Sequence, residues 1–72
     1  MRVTFDRSAN AAYIYLKDIA VGEAWRQEMV AERHTRGMVV LDFDKKGRLI
    51  GIEVMNATQA LPQGFLDEAE RL

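Results

Sequence analysis

Cysteine and histidine, the residues that form disulfides and most zinc sites, are almost absent from this chain, and that shortage limits how it can fold. The 72 residues include no cysteine and a single histidine, His34, so disulfides and thiolate metal sites are excluded and an imidazole-bound zinc is disfavoured. A chain of this length buries only about 60% of the surface that its unfolded form exposes. Small domains with so thin a core usually rely on disulfides, a metal or oligomerisation. A partner chain, most simply a second copy in a homodimer, is therefore the expected stabiliser.

Composition indicates one folded domain over residues 1–72. Hydrophobic residues make up 49% of the chain and charged residues 29%, which is too apolar for a disordered segment. The net charge is −1, and acids interrupt the basic residues, so nucleic acid is a disfavoured partner. No stretch approaches the roughly 20 apolar residues of a membrane-spanning helix, and no export signal is visible. We therefore expect a cytoplasmic protein without a membrane partner.

The first sixteen residues predict a hairpin. Val3 and Phe5 alternate with polar residues, the pattern of a half-buried strand, and residues 6–10 supply turn formers. In the predicted second strand, residues 11–16, Tyr13 and Tyr15 share one face while Ala12, Ile14 and Leu16 share the other. Both faces of this strand therefore need cover, from the terminal helix or from another subunit.

A second hairpin is predicted over residues 38–55. Met38 and Val40 on one face alternate with apolar residues on the other, so this strand also needs cover on both sides. The turn 44–47 ends in Gly47, which suits a positive φ, and residues 48–55 form the return strand. Between the hairpins, residues 25–34 fit a strand, which we favour, or a helix.

The chain ends in a predicted short helix, residues 62–72. Pro62 suits its first turn, and the apolar residues of the segment fall on one stripe: Phe65, Leu66, Ala69 and Leu72. Three turns of helix are marginal alone in water, so this helix must pack on its own sheet or on another subunit. The predicted fold class is α+β, mainly β: an antiparallel β-meander of four to five strands (sheet core 2–58) with a short C-terminal helix.

Both hairpins resemble a known family. The segments 5–6 and 11–16, then 40–44 and 47–54, and finally Asn56-Ala57, are similar to DUF2283, a family of small prokaryotic proteins of unknown function. The resemblance covers about residues 2–58 and implies a compact, β-rich, self-associating domain, with no established activity, cofactor or catalytic residues. Family members often carry aspartate where Asn10 stands here. An association of some relatives with toxin-like small proteins suggests an antitoxin role.

Acidic residues offer the only pattern that suggests metal or acid–base chemistry. Asp42 to Gly47 resembles the start of a calcium loop, but Glu53, the twelfth residue, falls in a predicted strand, and calcium needs a terminal bidentate acid. The simpler interpretation is a turn in which Asp44 binds backbone N–H groups. Asp6, Asp42, Asp44 and Glu53 could line a ligand cleft only if subunits built it together. No catalytic residue, cofactor or metal site is predicted, and the chain is not expected to be an enzyme.

The candidate functional residues are therefore those of an interface. They are Tyr13, Tyr15, Trp25, Met38, Val40, Phe65 and Leu66. Tyrosine suits interfaces because its ring buries area while its hydroxyl stays hydrogen-bonded; Trp25 is expected to anchor the core or, failing that, a partner contact. The favoured function is a self-associating protein-interaction module. The alternatives are an antitoxin-like regulator of a small toxin protein and a small-ligand binder at a dimer cleft.

Overall fold

In the part of the chain that the structure describes, a six-stranded mixed sheet forms the body of the protein. The computed structural model describes residues 1–30 and 35–72. His34, a lone polar residue before a predicted turn and for that reason predicted to be solvated, lies outside the described residues. The strands are β1 (Arg2–Asp6), β2 (Ala11–Tyr15), β3 (Arg26–Met29), β4 (Val39–Phe43), β5 (Leu49–Met55) and β6 (Glu70–Arg71). Their order across the sheet is β3-β4-β5-β2-β1-β6. The mainly β prediction is confirmed, but the four- to five-stranded meander is only roughly right, because β2 and β3 are not neighbours and β6 adds a parallel strand.

Both predicted hairpins form. β1 pairs antiparallel with β2, placing Phe5 opposite Ala12, and β4 pairs antiparallel with β5, placing Val39 opposite Val54. The sheet becomes continuous where β2 pairs with β5, with Ala12 opposite Val54. Directly opposite residues of paired strands share a face, so these pairings fix which side chains meet.

The turn between β4 and β5 is built by one carboxylate and one glycine. Asp44 Oδ1 accepts hydrogen bonds from the backbone N–H groups of Lys46 and Arg48, each at 2.9 Å. Gly47 has φ +79°, a conformation that costs any residue with a Cβ. The predicted turn, with Asp44 as the acceptor of backbone N–H groups, is confirmed.

Residues 25–34, for which the sequence fits either a strand or a helix, contain β3. Residues Arg26–Met29 pair antiparallel with β4, while residues 31–34 of the same prediction lie outside the described part of the chain. β3 stands at the end of the strand order, and all four of its residues are exposed.

Beyond β5 the chain departs from the predicted single helix. Two short helices, α1 (Ala57–Ala60) and α2 (Gln63–Asp67), are followed by β6, which lies parallel to β1. The helix predicted over 62–72 therefore ends at Asp67, and Leu72 does not belong to its apolar stripe. The end of the chain pairs with β1 instead of continuing the helix, since the Leu72 N–H donates to the Phe5 carbonyl at 3.1 Å.

The helices pack on their own sheet, which answers the question left open by the sequence. The core cluster consists of Phe5, Ala12, Ala57, Leu66 and Ala69. Because Phe5 and Ala12 belong to one face of the sheet, we call it the helix face; the other is the tyrosine face. No helix of the described chain is long and apolar enough to span a membrane.

Burial on the helix face decreases with distance from the helices. One row of opposite residues crosses the sheet from β1 to the end of β3: Phe5, Ala12, Val54, Val39 and Val30. The first three are buried, and the last two are only half-buried. The two short helices therefore cover the β1–β2 half of this face more completely than the β3–β4 half.

Candidate interaction surface

The tyrosine face gathers four of the predicted interface residues. Tyr13 and Tyr15 alternate with the core residue Ala12 on β2 and so point away from the helices. Val40 lies opposite Glu53 on the tyrosine face. Met38 stands two residues before Val40 and therefore belongs to the same face. The alternative in which the terminal helix covers these tyrosines is wrong, because both helices pack on the other face.

A hydrogen-bond network crosses the tyrosine face from β2 to β3. The Tyr13 hydroxyl donates to Asp42 Oδ2, and the Gln27 side-chain amide donates to Asp42 Oδ1 at 2.9 Å. Asp42 is only 4% exposed, so these two donors replace the water that the carboxylate has lost. Burial raises the pKa of the Tyr13 phenol far above its ordinary value, and the hydrogen bond to Asp42 raises it further.

Tyr15 continues this surface toward the opposite edge. Its ring centroid lies 4.6 Å from that of Tyr13, and the Arg2 guanidinium stands 4.7 Å from the Tyr15 centroid. Arg2 Nε also donates to Glu70 at 3.1 Å, an exposed ion pair. The hydrogen bond from Arg2 lowers the pKa of Glu70. This pair joins β1 to β6 at the tip of the sheet.

The β3 edge exposes two large apolar side chains close together. Met29, within β3, is 61% exposed, and Trp25, directly before it, is 57% exposed. The interpretation of Trp25 as a core anchor is therefore wrong. Trp25 lines a shallow depression of about 470 Å³ together with Arg26, Glu28 and Phe43.

The two helix residues on the predicted interface have a different role. Leu66 is 0% exposed within the core cluster, and Phe65 packs against that cluster while remaining half-buried. We therefore assign Leu66 to the fold and leave it out of the candidate surface. The sequence predicts that Leu66 lies on the apolar stripe of the helix. It does not predict which residues the stripe packs against, because Phe5 and Ala12 are distant in the sequence.

The four acids considered for a ligand cleft do not converge. Asp6 Oδ1 accepts hydrogen bonds from the hydroxyl and N–H of Ser8 in the first turn, while Asp44 binds the second turn. Asp42 faces Gly51, not Glu53. Arg48 pairs with Asp44 at 2.9 Å. In residues 1–30 and 35–72, no group of three or more acidic or histidine side chains could hold a metal.

An amide cluster that the sequence did not reveal links the first turn to α1. Asn10 Nδ2 donates to Asn56 Oδ1 at 3.2 Å and to Thr58 Oγ1 at 3.0 Å, and Asn10 Oδ1 accepts from the Thr58 N–H at 3.1 Å. Both asparagines have positive φ, 49° and 55°, which asparagine tolerates better than most residues. In the sequence, the one signal pointing to this position is that Asn10 stands where members of the similar family often carry aspartate.

A family model described as a protein of unknown function, DUF2283, matches residues 2–57. The match includes all the residues of the tyrosine-face network and β3, and it ends at the start of α1. No curated protein and no solved structure shows a significant match.

Proposed function

This chain belongs to the DUF2283 family, whose function is unknown, and we propose that it works as a self-associating protein-interaction module. The observation that carries the proposal is β3, an edge strand exposed at every residue and flanked by Trp25. Edge strands expose unpaired backbone donors and acceptors to which another strand can bind. The interaction would therefore be made through the backbone as well as through side chains.

The small core supports the need for a partner. Among the described residues, the buried hydrophobic side chains are Phe5, Ala12, Ile50, Val54, Ala57, Leu66 and Ala69. Three of these seven are alanines, which bury little area. A domain of this size rarely gains more than about 3–5 kcal/mol from its own core, so burial of Trp25 and Met29 against another chain would add stability where the chain has little.

The same edge would serve to bind another protein. Addition of an extended segment to a sheet edge is a recurring mode of peptide recognition, in which backbone hydrogen bonds give affinity and side chains give selectivity. On this proposal, Trp25 and the depression beside it select the partner. Tryptophan is enriched among the residues that contribute most to binding energy at interfaces.

Self-association is tested by sedimentation velocity on the full chain. The measurement would run from about 1 μM to about 1 mM, which spans binding free energies from about −8 to −4 kcal/mol. We expect the weight-average mass to rise from monomer toward dimer across this range. A folded chain that stays monomeric at every concentration contradicts the proposal.

A matched pair of variants distinguishes contacts at the β3 edge from nonspecific hydrophobic association. Trp25→Ala removes an exposed side chain beside β3, and Leu72→Ala removes an exposed apolar side chain next to β6, at the opposite edge. We expect Trp25→Ala to weaken self-association and Leu72→Ala to leave it unchanged. Equal effects of the two substitutions would mean that self-association does not use the β3 edge.

A further inference from the structure

We propose that two copies of the chain pair antiparallel through β3, with a two-fold axis passing beside Gln27. This inference rests on the proposed function and specifies how the copies meet. In this arrangement Gln27 lies opposite Gln27 of the second copy, and Arg26 lies opposite Glu28 of the second copy. The six-stranded sheet then continues from one copy into the other.

The hydrogen-bond pattern of β3 with β4 determines which backbone groups are available. Val30 N–H donates to the Val39 carbonyl at 2.8 Å, so this is a hydrogen-bonded pair, and such pairs alternate along an antiparallel ladder. Glu28 and Arg26, two and four residues earlier, therefore direct their backbone groups toward β4. Gln27 and Met29 direct theirs to the open edge.

This alternation restricts the registers in which two β3 strands can meet. A two-fold axis beside Gln27 places the outward N–H and C=O of Gln27 opposite those of Gln27 in the second copy. Each N–H then donates to the C=O of the other copy. Met29 then lies opposite Trp25 of the second copy, whose N–H already donates to the Phe43 carbonyl of its own chain at 2.8 Å, so the reciprocal Gln27 pair carries the backbone contact. An axis midway between two adjacent residues would place outward groups opposite inward ones and leave the donors unpaired.

Charge selects among the registers that remain. With the axis beside Gln27, each Arg26 lies across from Glu28 of the second copy, giving two pairs of opposite charge on the same face. An axis beside Glu28 would place two carboxylates opposite each other, and an axis beside Arg26 would place two guanidinium groups opposite each other. Like charges directly across a strand pair destabilise it, so only the Gln27 register combines available backbone groups with complementary charge.

The first experiment is a charge exchange within one chain. R26E or E28R alone places like charges opposite each other twice in the symmetric dimer, and we expect the dimer Kd to rise about tenfold or more. The double variant R26E/E28R restores opposite charges in reversed order, so its Kd is expected to return close to that of the unchanged chain. Arg7→Glu, in the exposed turn after β1, is the control for charge reversal and should leave Kd unchanged. Circular dichroism verifies that each variant is folded.

The second experiment uses the absence of cysteine. In a hydrogen-bonded antiparallel pair the Cα atoms lie about 5.5 Å apart, within the range that a disulfide spans. Gln27→Cys should therefore form a covalent dimer under mild oxidation, whereas Arg7→Cys, distant from the axis, should stay largely monomeric. Comparable crosslinking of both variants would show random collision and overturn the proposed register.

These results separate the register from the proposed function. If the chain dimerises but the double exchange fails to restore Kd and Gln27→Cys does not crosslink, the copies meet elsewhere: the register is wrong and self-association stands. If sedimentation finds only monomer, both proposals fail. Recovery in the double variant together with selective crosslinking at Gln27 establishes the β3 pairing.

Discussion

The Tyr13 hydroxyl on β2 reaches Asp42 on β4 by crossing the strand between them. The crossing is possible because Gly51, opposite Asp42 on β5, has no side chain. A Cβ at Gly51 would lie 2.1 Å from the Tyr13 hydroxyl oxygen and 2.7 Å from Cζ of the same ring. One glycine thus lets a phenol on one strand satisfy a buried carboxylate two strands away.

Replacing Gly51 by alanine is expected to displace the Tyr13 ring and break its bond to Asp42. Leaving a buried polar group without a partner costs about 1–3 kcal/mol, and urea denaturation should show a loss of that size. The control is Gly64→Ala in α2, where an added Cβ meets nothing within 4 Å and alanine favours the helix by about 0.5–1 kcal/mol. A Gly51→Ala variant as stable as the unchanged chain would mean that the Tyr13 bond contributes nothing.

The Tyr13 phenol should resist ionisation while the chain is folded. Tyr15→Phe leaves Tyr13 as the sole tyrosine, so the phenolate absorbance of this variant reports on Tyr13 alone. Because burial raises its pKa in the folded state, phenolate should form well above the ordinary pKa of about 10. An ordinary titration midpoint in the folded chain is the contrary result.

The same shift makes stability depend on alkaline pH. The folded-state pKa of Tyr13 lies above the unfolded-state value of about 10, so the neutral phenol contributes stability that is complete below about pH 10. That contribution is lost as the pH rises toward the folded-state pKa. Urea midpoints measured between about pH 9 and 11 should therefore fall less steeply for Tyr13→Phe than for the unchanged chain, and parallel slopes would contradict this.

Asp44 should govern part of the acid sensitivity. The backbone N–H of Arg48, followed by the Arg48 side chain and the N–H of Lys46, lowers the Asp44 pKa below its ordinary value. Its contribution to stability is therefore complete above the unfolded-state pKa of about 3.9 and is lost as the pH falls through the folded-state pKa. Asp44→Asn should be less stable at neutral pH and lose less on acidification, as thermal melts would record. Exposed Glu68→Gln, the control, should follow the unchanged chain.

Asn10→Asp tests the amide cluster. The substitution keeps an acceptor for the Thr58 N–H and tolerates the positive φ, but it removes the donor to Asn56 and Thr58. We expect a loss of about 0.5–1.5 kcal/mol in the free energy of unfolding, the usual net contribution of a hydrogen bond. Asn10→Gly, which keeps the backbone freedom and removes every side-chain bond, should be at least as unfavourable. Stability unchanged in both variants would show that the cluster does not hold α1.

Local sequence signals predicted the hairpins and the turn at Asp44 and Gly47, because alternation and turn chemistry act over a few residues. They also placed Tyr13 and Tyr15 together on one face of β2, since side chains alternate along a strand. The pairing of β2 with β5 depends on residues about forty positions apart in the chain. The role of Gly51 beneath Tyr13 follows only from that pairing.

The sequence by itself determined that the chain is mainly β, has no disulfide, and carries apolar side chains on both faces of its strands. Tertiary structure alone decided that the helices cover the face of Phe5 and Ala12, that Leu66 belongs to the core, and that Trp25 lies outside it. The reason is physical: periodicity fixes which residues share a face, whereas the order and register of strands fix what that face meets.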